Sequence, residues 1–235
     1  MEGLLSIIKL LIEEFQSLYL TELKDLIHKV RIFGFHFASL DIRQDSRVHH
    51  GVFEKIVDHI LKKDPNALPG DYCELSEKDR VKILGGLSVC ADKSSFKDEM
   101  VLKTLGSMQA IKEIQYKNGE KGANRYIISN NQSAVNVMEV FAMLKMSGFP
   151  DQLPVDIIPL FETVDDLKRA SNVMEILYRD EVYREHVRQR GNQQTIMLGF
   201  SDGTKDGGYL MAVSYTHLTL PTNRVACRYR WSPYH

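Results

Sequence analysis

The sequence predicts a helix-rich α/β fold: part of a parallel, TIM-like (β/α)8 barrel carrying extra helices. Three observations predict it. Short apolar runs alternate with longer stretches of helical periodicity, the order expected of a parallel sheet covered by helices. Each apolar run ends at a polar residue: Arg43, Ser129, Glu162 and Asp202. The steps from Ser129 to Glu162 and from Glu162 to Asp202 are 33 and 40 residues, the size of a βα unit. In a parallel sheet the carboxyl ends of all strands share one edge, and in a closed barrel that edge is the active-site face. These four residues are therefore expected to converge on about half of a barrel.

Taken in order, Leu4, Leu5, Ile8, Leu11, Ile12 and Phe15 recur at helical spacing over 3–16. A second helix is predicted from Thr21 to Arg31 with Thr21 as its N-cap. The apolar Gly34–Ile42 run reads as the first strand, with the polar cluster 43–47 at its end. Helix is predicted again over Val52–Lys62, followed by a turn-rich connection over Asp64–Gly70. Ser76–Leu84 and Asp98–Lys117 read as helices, and Arg125–Ser129 as the second strand. Ser133 is placed as the N-cap of a helix over Ala134–Met146, with Gly148 and Pro150 as its stop. Val155–Phe161 is the third strand and delivers Glu162; Thr163 then caps a helix with Asp165 and Asp166 in its first turn. A helix over Arg179–Arg190 ends at Gly191. Thr195–Phe200 is the fourth strand, opening into a glycine-rich Ser201–Gly208 loop.

Composition narrows the function. With 43% hydrophobic and 26% charged residues, the chain can bury a real core, and a net charge of −1 offers no basis for nucleic-acid binding. Leu4–Ile12 is interrupted by Lys9 and too short to span a bilayer, so no membrane association is expected. Three widely spaced cysteines, Cys73, Cys90 and Cys227, argue for a reducing, cytoplasmic setting and against a disulfide framework or zinc site.

The converging residues leave several chemistries open. Glu162 and Asp202 offer hard oxygen donors suited to magnesium or manganese, or an acid–base pair, or simple caps of the helices that follow. Arg43 and Arg47 present forked donors for a phosphate or carboxylate, or else pair with Asp41, Asp45 or another strand-end acid. Arg125 begins a strand and belongs to the far face. In the Ser201–Gly208 loop, glycines permit close backbone approach to an anion and Lys205 adds positive charge; the alternative is a tight turn with solvated charges. His36 reads as an interior strand residue. His49 and His50 are adjacent on a helix and point about 100° apart, which is poor geometry for a shared ion.

Three segments resemble phosphoenolpyruvate carboxylases. They are FGFHFASLDIRQDS at 33–46, VDIIPLFETVDDL at 155–167 and IMLGFSDGTKDGG at 196–208, with YIIS at 126–129 also fitting. Phe200, Gly203 and Asp45 depart from the family's usual Tyr, Ser and Glu. The resemblance implies a barrel of the phosphoenolpyruvate/pyruvate type, with phosphoenolpyruvate and bicarbonate as substrates and oxaloacetate and phosphate as products. It further implies Mg2+ or Mn2+ held by Glu162 and Asp202. Arg43 and Lys205 become the catalytic residues, and Arg43, Lys205, Ser201 and Gly207 bind substrate. A cytoplasmic homo-oligomer, a tetramer in the family, is also implied. The family's upstream His-Pro motif and downstream Arg-Gly-Gly loop do not occur here. Residues 1–212 are therefore expected to be the central part of the barrel and inactive alone. Residues 213–235 are read as a non-family tail, disordered or artefactual.

Overall fold

A computed structural model of the chain describes residues 2–34, 36–69, 71–87, 89, 91–149 and 152–218. Phe35, Gly70, Cys90, Pro150, Cys227 and the tail from 219 onward, all invoked above, lie outside the described residues. The elements follow in order: α1 (Glu2–Glu14), α2 (Leu20–Phe33), β1 (Asp41–Asp45), α3 (Ser46–Lys63), α4 (Glu77–Gly86), α5 (Glu99–Asn118), β2 (Arg125–Ser129), α6 (Ala134–Met146), β3 (Asp156–Phe161), α7 (Val164–Arg179), α8 (Glu181–Gln189), β4 (Met197–Leu198), α9 (Phe200–Gly207) and α10 (Tyr209–Leu218). The strands pair in the order β1-β2-β3-β4, all parallel. The expected helix-rich α/β architecture with four parallel strands is therefore present.

The sheet has two unlike faces, because successive side chains alternate across a strand. Tyr126, Ile128, Ile157 and Phe161 face the helices and join the main core. Ile127, Ile158 and Leu160 form a separate small cluster with Met197 on the opposite face. Arg43 pairs in register with Ile127, and Ile127 with Ile158, so Arg43 belongs to this second face. Glu162 continues the Ile158–Leu160 parity and stands on the same side.

Helix α6 sits at the centre of the covering layer. All of its residues except Asn136 and Lys145 are buried, and it packs on α3, α4, α5, α7 and β3. A helix buried on nearly every side, with Glu139 as its one buried acid, is mostly apolar as a central position requires. Its start is fixed by a capping box in which Ser133 accepts from the Asn136 N–H and the Asn136 side chain answers the Ser133 N–H. Thr163 and Asp166 form the same device at the start of α7, as the sequence indicated. Asp98 and Ser76 cap α5 and α4.

Several boundaries differ from expectation. The first strand is Asp41–Asp45 rather than the apolar Gly34–Ile42 run. Phe37 adopts a positive φ of 60° and is 78% exposed, so that run is not extended and the polar DIRQD segment takes the ladder beside β2. His36 accordingly lies before the strand, against Gly34 and Gly122. Helix α3 begins at Ser46, six positions before the predicted Val52, because Asp45 accepts from the Arg47 N–H and caps it. Thr21 is not an N-cap; α2 starts at Leu20 behind Tyr19 in a left-handed turn with φ 54°. The fourth strand contracts to Met197–Leu198, and the expected glycine loop is helix α9. Residues 213–218, assigned to the tail, continue helix α10.

Candidate active site

The strand carboxyl ends bring Arg43 and Glu162 together across 119 residues of sequence, with Arg43 Nη2 donating to Glu162 Oε1 at 2.8 Å. Their shared sheet face, set by strand parity and register, makes this contact possible. Glu162 Oε2 accepts the backbone N–H of Asn130 at 3.3 Å. Its own backbone N–H, and that of Thr163, donate to Asp166 Oδ2 at 3.3 and 3.0 Å. The Glu162 carboxylate is thus held from β1 and from the turn after β2, and its backbone is held by the α7 cap.

Asn130 is the hub of the β2 end, which sequence reasoning missed. It lies in the left-handed region at φ 53°. Its carbonyl accepts Ser46 Oγ at 2.6 Å and its Oδ1 accepts Gln132 Nε2 at 3.3 Å. The Asn130-Asn131 pair after an apolar run is a turn signal, since Asn tolerates left-handed backbone. The sequence does not say that the turn aims a donor at a residue on the next strand.

Arg47 takes the structural alternative. Its Nε and Nη2 donate to the two Asp45 oxygens at 3.0 and 2.7 Å. This guanidinium, with smaller help from the Arg47 and Asn130 hydrogen bonds, holds the Asp45 carboxyl at about 2 against the opposing effect of burial. Arg125 pairs with Asp41 at 2.7 Å at the opposite end of the strands, as expected of the far face. The adjacent histidines part as predicted. His49 Nε2 meets Tyr126 Oη at 2.9 Å in the core, whereas His50 Nδ1 meets Glu139 Oε1 at 2.7 Å.

Asp202 and Lys205 pair with each other at 3.6 Å on α9, and both side chains are exposed. Their ion pair is with each other, whereas Glu162 pairs with Arg43. The helix itself does reach Glu162. Gly199 donates its N–H to the Phe161 carbonyl at 2.8 Å. A Cβ at Gly199 would stand 2.9 Å from Glu162 Cγ and 3.0 Å from its Cα, and one at Gly203 3.4 Å from the Glu162 carbonyl. A Cβ at Gly207 would collide with Val164 Cγ2. Spaced by four, these glycines form one face of α9 that packs on the β3–α7 junction. Asp206 fastens the far end by accepting the Val164 N–H at 2.9 Å. The glycines thus serve helix packing here, in place of the anion-cradling loop expected from their number. Ser201 is exposed in the first turn of this helix.

Among the described residues no group of three or more His, Cys, Asp or Glu side chains is arranged to hold a metal. No described helix is long and apolar enough to cross a membrane.

Comparison with known proteins gives one consistent result. A family model described as phosphoenolpyruvate carboxylase matches residues 1–218, six residues beyond the boundary drawn at 212. A phosphoenolpyruvate carboxylase of Nitrosomonas europaea is 37% identical over 201 residues, covering 80% of this chain and 21% of the relative. One from Nitrosomonas eutropha is 34% identical over 222 residues, covering 88% and 23%. One from Xanthomonas oryzae pv. oryzae is 35% identical over 188 residues, covering 78% and 20%. The chain spans about a fifth of the length of the curated relatives it matches.

Proposed function

The chain belongs to the phosphoenolpyruvate carboxylase family, and on that premise we propose that the whole polypeptide joins phosphoenolpyruvate and bicarbonate to give oxaloacetate and phosphate. Residues 1–212 contribute the central part of a (β/α)8 barrel, and its strand ends form one wall of the active site. The observation that carries this reading is the Arg43–Glu162 pair on the face of the sheet away from the covering helices. A guanidinium and a carboxylate brought together at strand ends suit a site that binds both an anion and a cation.

In the proposed reaction a bicarbonate oxygen attacks the phosphoryl group and the bond to the enol oxygen breaks, leaving carboxyphosphate and the enolate of pyruvate. Carboxyphosphate releases carbon dioxide, which the enolate carbon captures. Arg43 holds phosphoryl oxygens with its forked donors. Lys205 supplies positive charge near the bicarbonate, and Ser201 and Gly207 contribute substrate contacts from the two ends of α9. Glu162 and Asp202 would hold magnesium or manganese, which when bound would stabilise negative charge on the enolate oxygen.

Hard carboxylate donors of this kind suit such an ion. Magnesium sites typically take one or two protein carboxylates, with water and substrate oxygens completing the shell. A carboxylate has about four lone-pair positions, and Glu162 uses one on each oxygen, for Arg43 and for Asn130. Positions therefore remain on Glu162 for a metal.

Calorimetric titration of the chain with Mn2+, then with phosphoenolpyruvate in its presence, tests the reading. Binding that is lost in Asp202→Asn and in Glu162→Gln is expected; binding indifferent to both substitutions sinks the assignment of these carboxylates.

A further inference from the structure

We propose that Asn130 is a positioning residue of this site, acting through its left-handed backbone conformation, which aims a peptide N–H at Glu162 Oε2. The proposal rests on the reading of Glu162 as a metal ligand and adds a residue that the family resemblance did not single out.

The geometry assigns each Glu162 oxygen a different task. Oε1 is engaged by Arg43, whose half-exposed side chain reaches across from β1. Oε2 accepts the Asn130 N–H. A peptide N–H cannot be moved by a side-chain rotamer; its direction follows from φ and ψ of its own turn. At φ 53° that turn is one few residues other than glycine adopt, and asparagine adopts it because its short amide can bond locally. Here the amide does so, with Oδ1 accepting Gln132 Nε2 at 3.3 Å. The carbonyl is held from the other side by Ser46 Oγ at 2.6 Å, at the first residue of α3. The turn is therefore tied to β1 through α3 and to β3 through Glu162. If residue 130 returned to an ordinary negative φ, the peptide unit would rotate and the N–H would leave Glu162. The carboxylate would then be restrained by Arg43 alone, free to swing from the orientation it holds in the fold.

The decisive contrast is Asn130→Ala against Asn130→Gly in the full chain. Both remove the side chain, but only glycine keeps the left-handed turn at no steric cost. Calorimetry with Mn2+ alone should show Asn130→Ala binding weakened by about fivefold or more and Asn130→Gly within about twofold of the parent. Equal affinities in the two variants, whether both retained or both lost, overturn the proposal. A second measurement leaves Asn130 intact and needs no metal. In Glu162→Ala the Asn130 amide should exchange its hydrogen about tenfold faster than in the parent, as expected on losing one hydrogen bond. An unchanged exchange rate overturns the proposal even if Asn130→Ala does not fold. If the parent chain binds no Mn2+, the metal reading of Glu162 fails by itself, while the exchange experiment still decides whether Asn130 holds this carboxylate.

Discussion

Arg43 and Glu162 lie 119 residues apart in sequence on different strands, whereas Asp202 and Lys205 lie three apart on one short helix. The first pair exists only when β1, β2 and β3 are paired in register. The second needs no more than one helical turn. The strand-borne half is braced from behind by the core, through Tyr126, Ile128 and the fully buried His49. The helix-borne half is fastened to it by the two-residue β4 ladder, by the Gly199 N–H on the Phe161 carbonyl, by glycine contacts and by Asp206. One half of the site therefore inherits the stability of the sheet, and the other half is joined to it through the short β4 and the packing of α9. Three measurements separate the two halves.

Acid should act most strongly, and on the strand-borne half. His49 has one ring nitrogen on Tyr126 and, among the described residues, no partner for Nδ1. Burial pushes its pKa down to about 4, with Asp45 opposing weakly. The unfolded value is about 6.5, so the unfolded chain takes up the proton first. The contribution is complete above about 6.5 and is lost as pH falls toward 4, by which point the loss amounts to about 3 kcal/mol. His186 on α8, also buried and lowered to about 4, adds a separate share. Urea melts at pH 7 and pH 4.5 should show His49→Gln losing less stability than the parent on acidification. An identical loss in both proteins would mean that His49 titrates normally in the fold.

Gly199→Ala should have the next largest effect, at the joint between the halves. Gly199 has φ −80°, which alanine accepts, so the cost is steric alone. The new Cβ would press on Glu162 Cγ and on its backbone at about 3 Å and should cost about 1–3 kcal/mol. The denaturation midpoint should fall while the far-ultraviolet spectrum stays the same. A midpoint equal to the parent's would show that α9 can shift away freely, and the joint would be looser than its contacts suggest.

Much of the strand-borne half was legible in the sequence, and the reasons are local. Ser133 and Thr163 are strong caps with matching residues three positions on, and β2 and β3 are β-branched runs with turn signals beyond them. These features fix where α6 and α7 begin and therefore where Glu162 stands. β1 was harder to place because its ladder is made by a polar segment, DIRQD, whose place depends on pairing with β2 while the more apolar run before it stays exposed. Long-range pairing is not written in local propensity. The glycines of α9 misled for a related reason. Glycine usually weakens a helix, so FSDGTKDG reads as a loop until the close approach of Glu162 and Val164 supplies the reason for a helix with a bare face. Asn130 was legible as a turn and illegible as a donor, because its partner lies on the next strand.

The smallest effect on stability should come from Asp202 and Lys205, and that makes them the most informative pair. Both side chains are exposed and separated by 3.6 Å. A surface pair of this kind contributes at most about 1 kcal/mol, even with Asp202 favoured by the first turn of α9. Asp202→Asn and Lys205→Met should therefore melt within a few degrees of the parent. Methionine forms helix about as well as lysine, so the second substitution is especially clean. Ligand binding should divide them. Asp202→Asn removes a carboxylate and should abolish Mn2+ binding. Lys205→Met should leave Mn2+ binding in place and weaken only the binding of phosphoenolpyruvate or bicarbonate. A loss of ligand from a helix whose stability is unchanged can be charged to the missing group itself, an inference the deeply braced strand-borne half never permits. If instead both variants melt well below the parent, the pair holds α9 in place, and the ligand roles assigned to it must be given up.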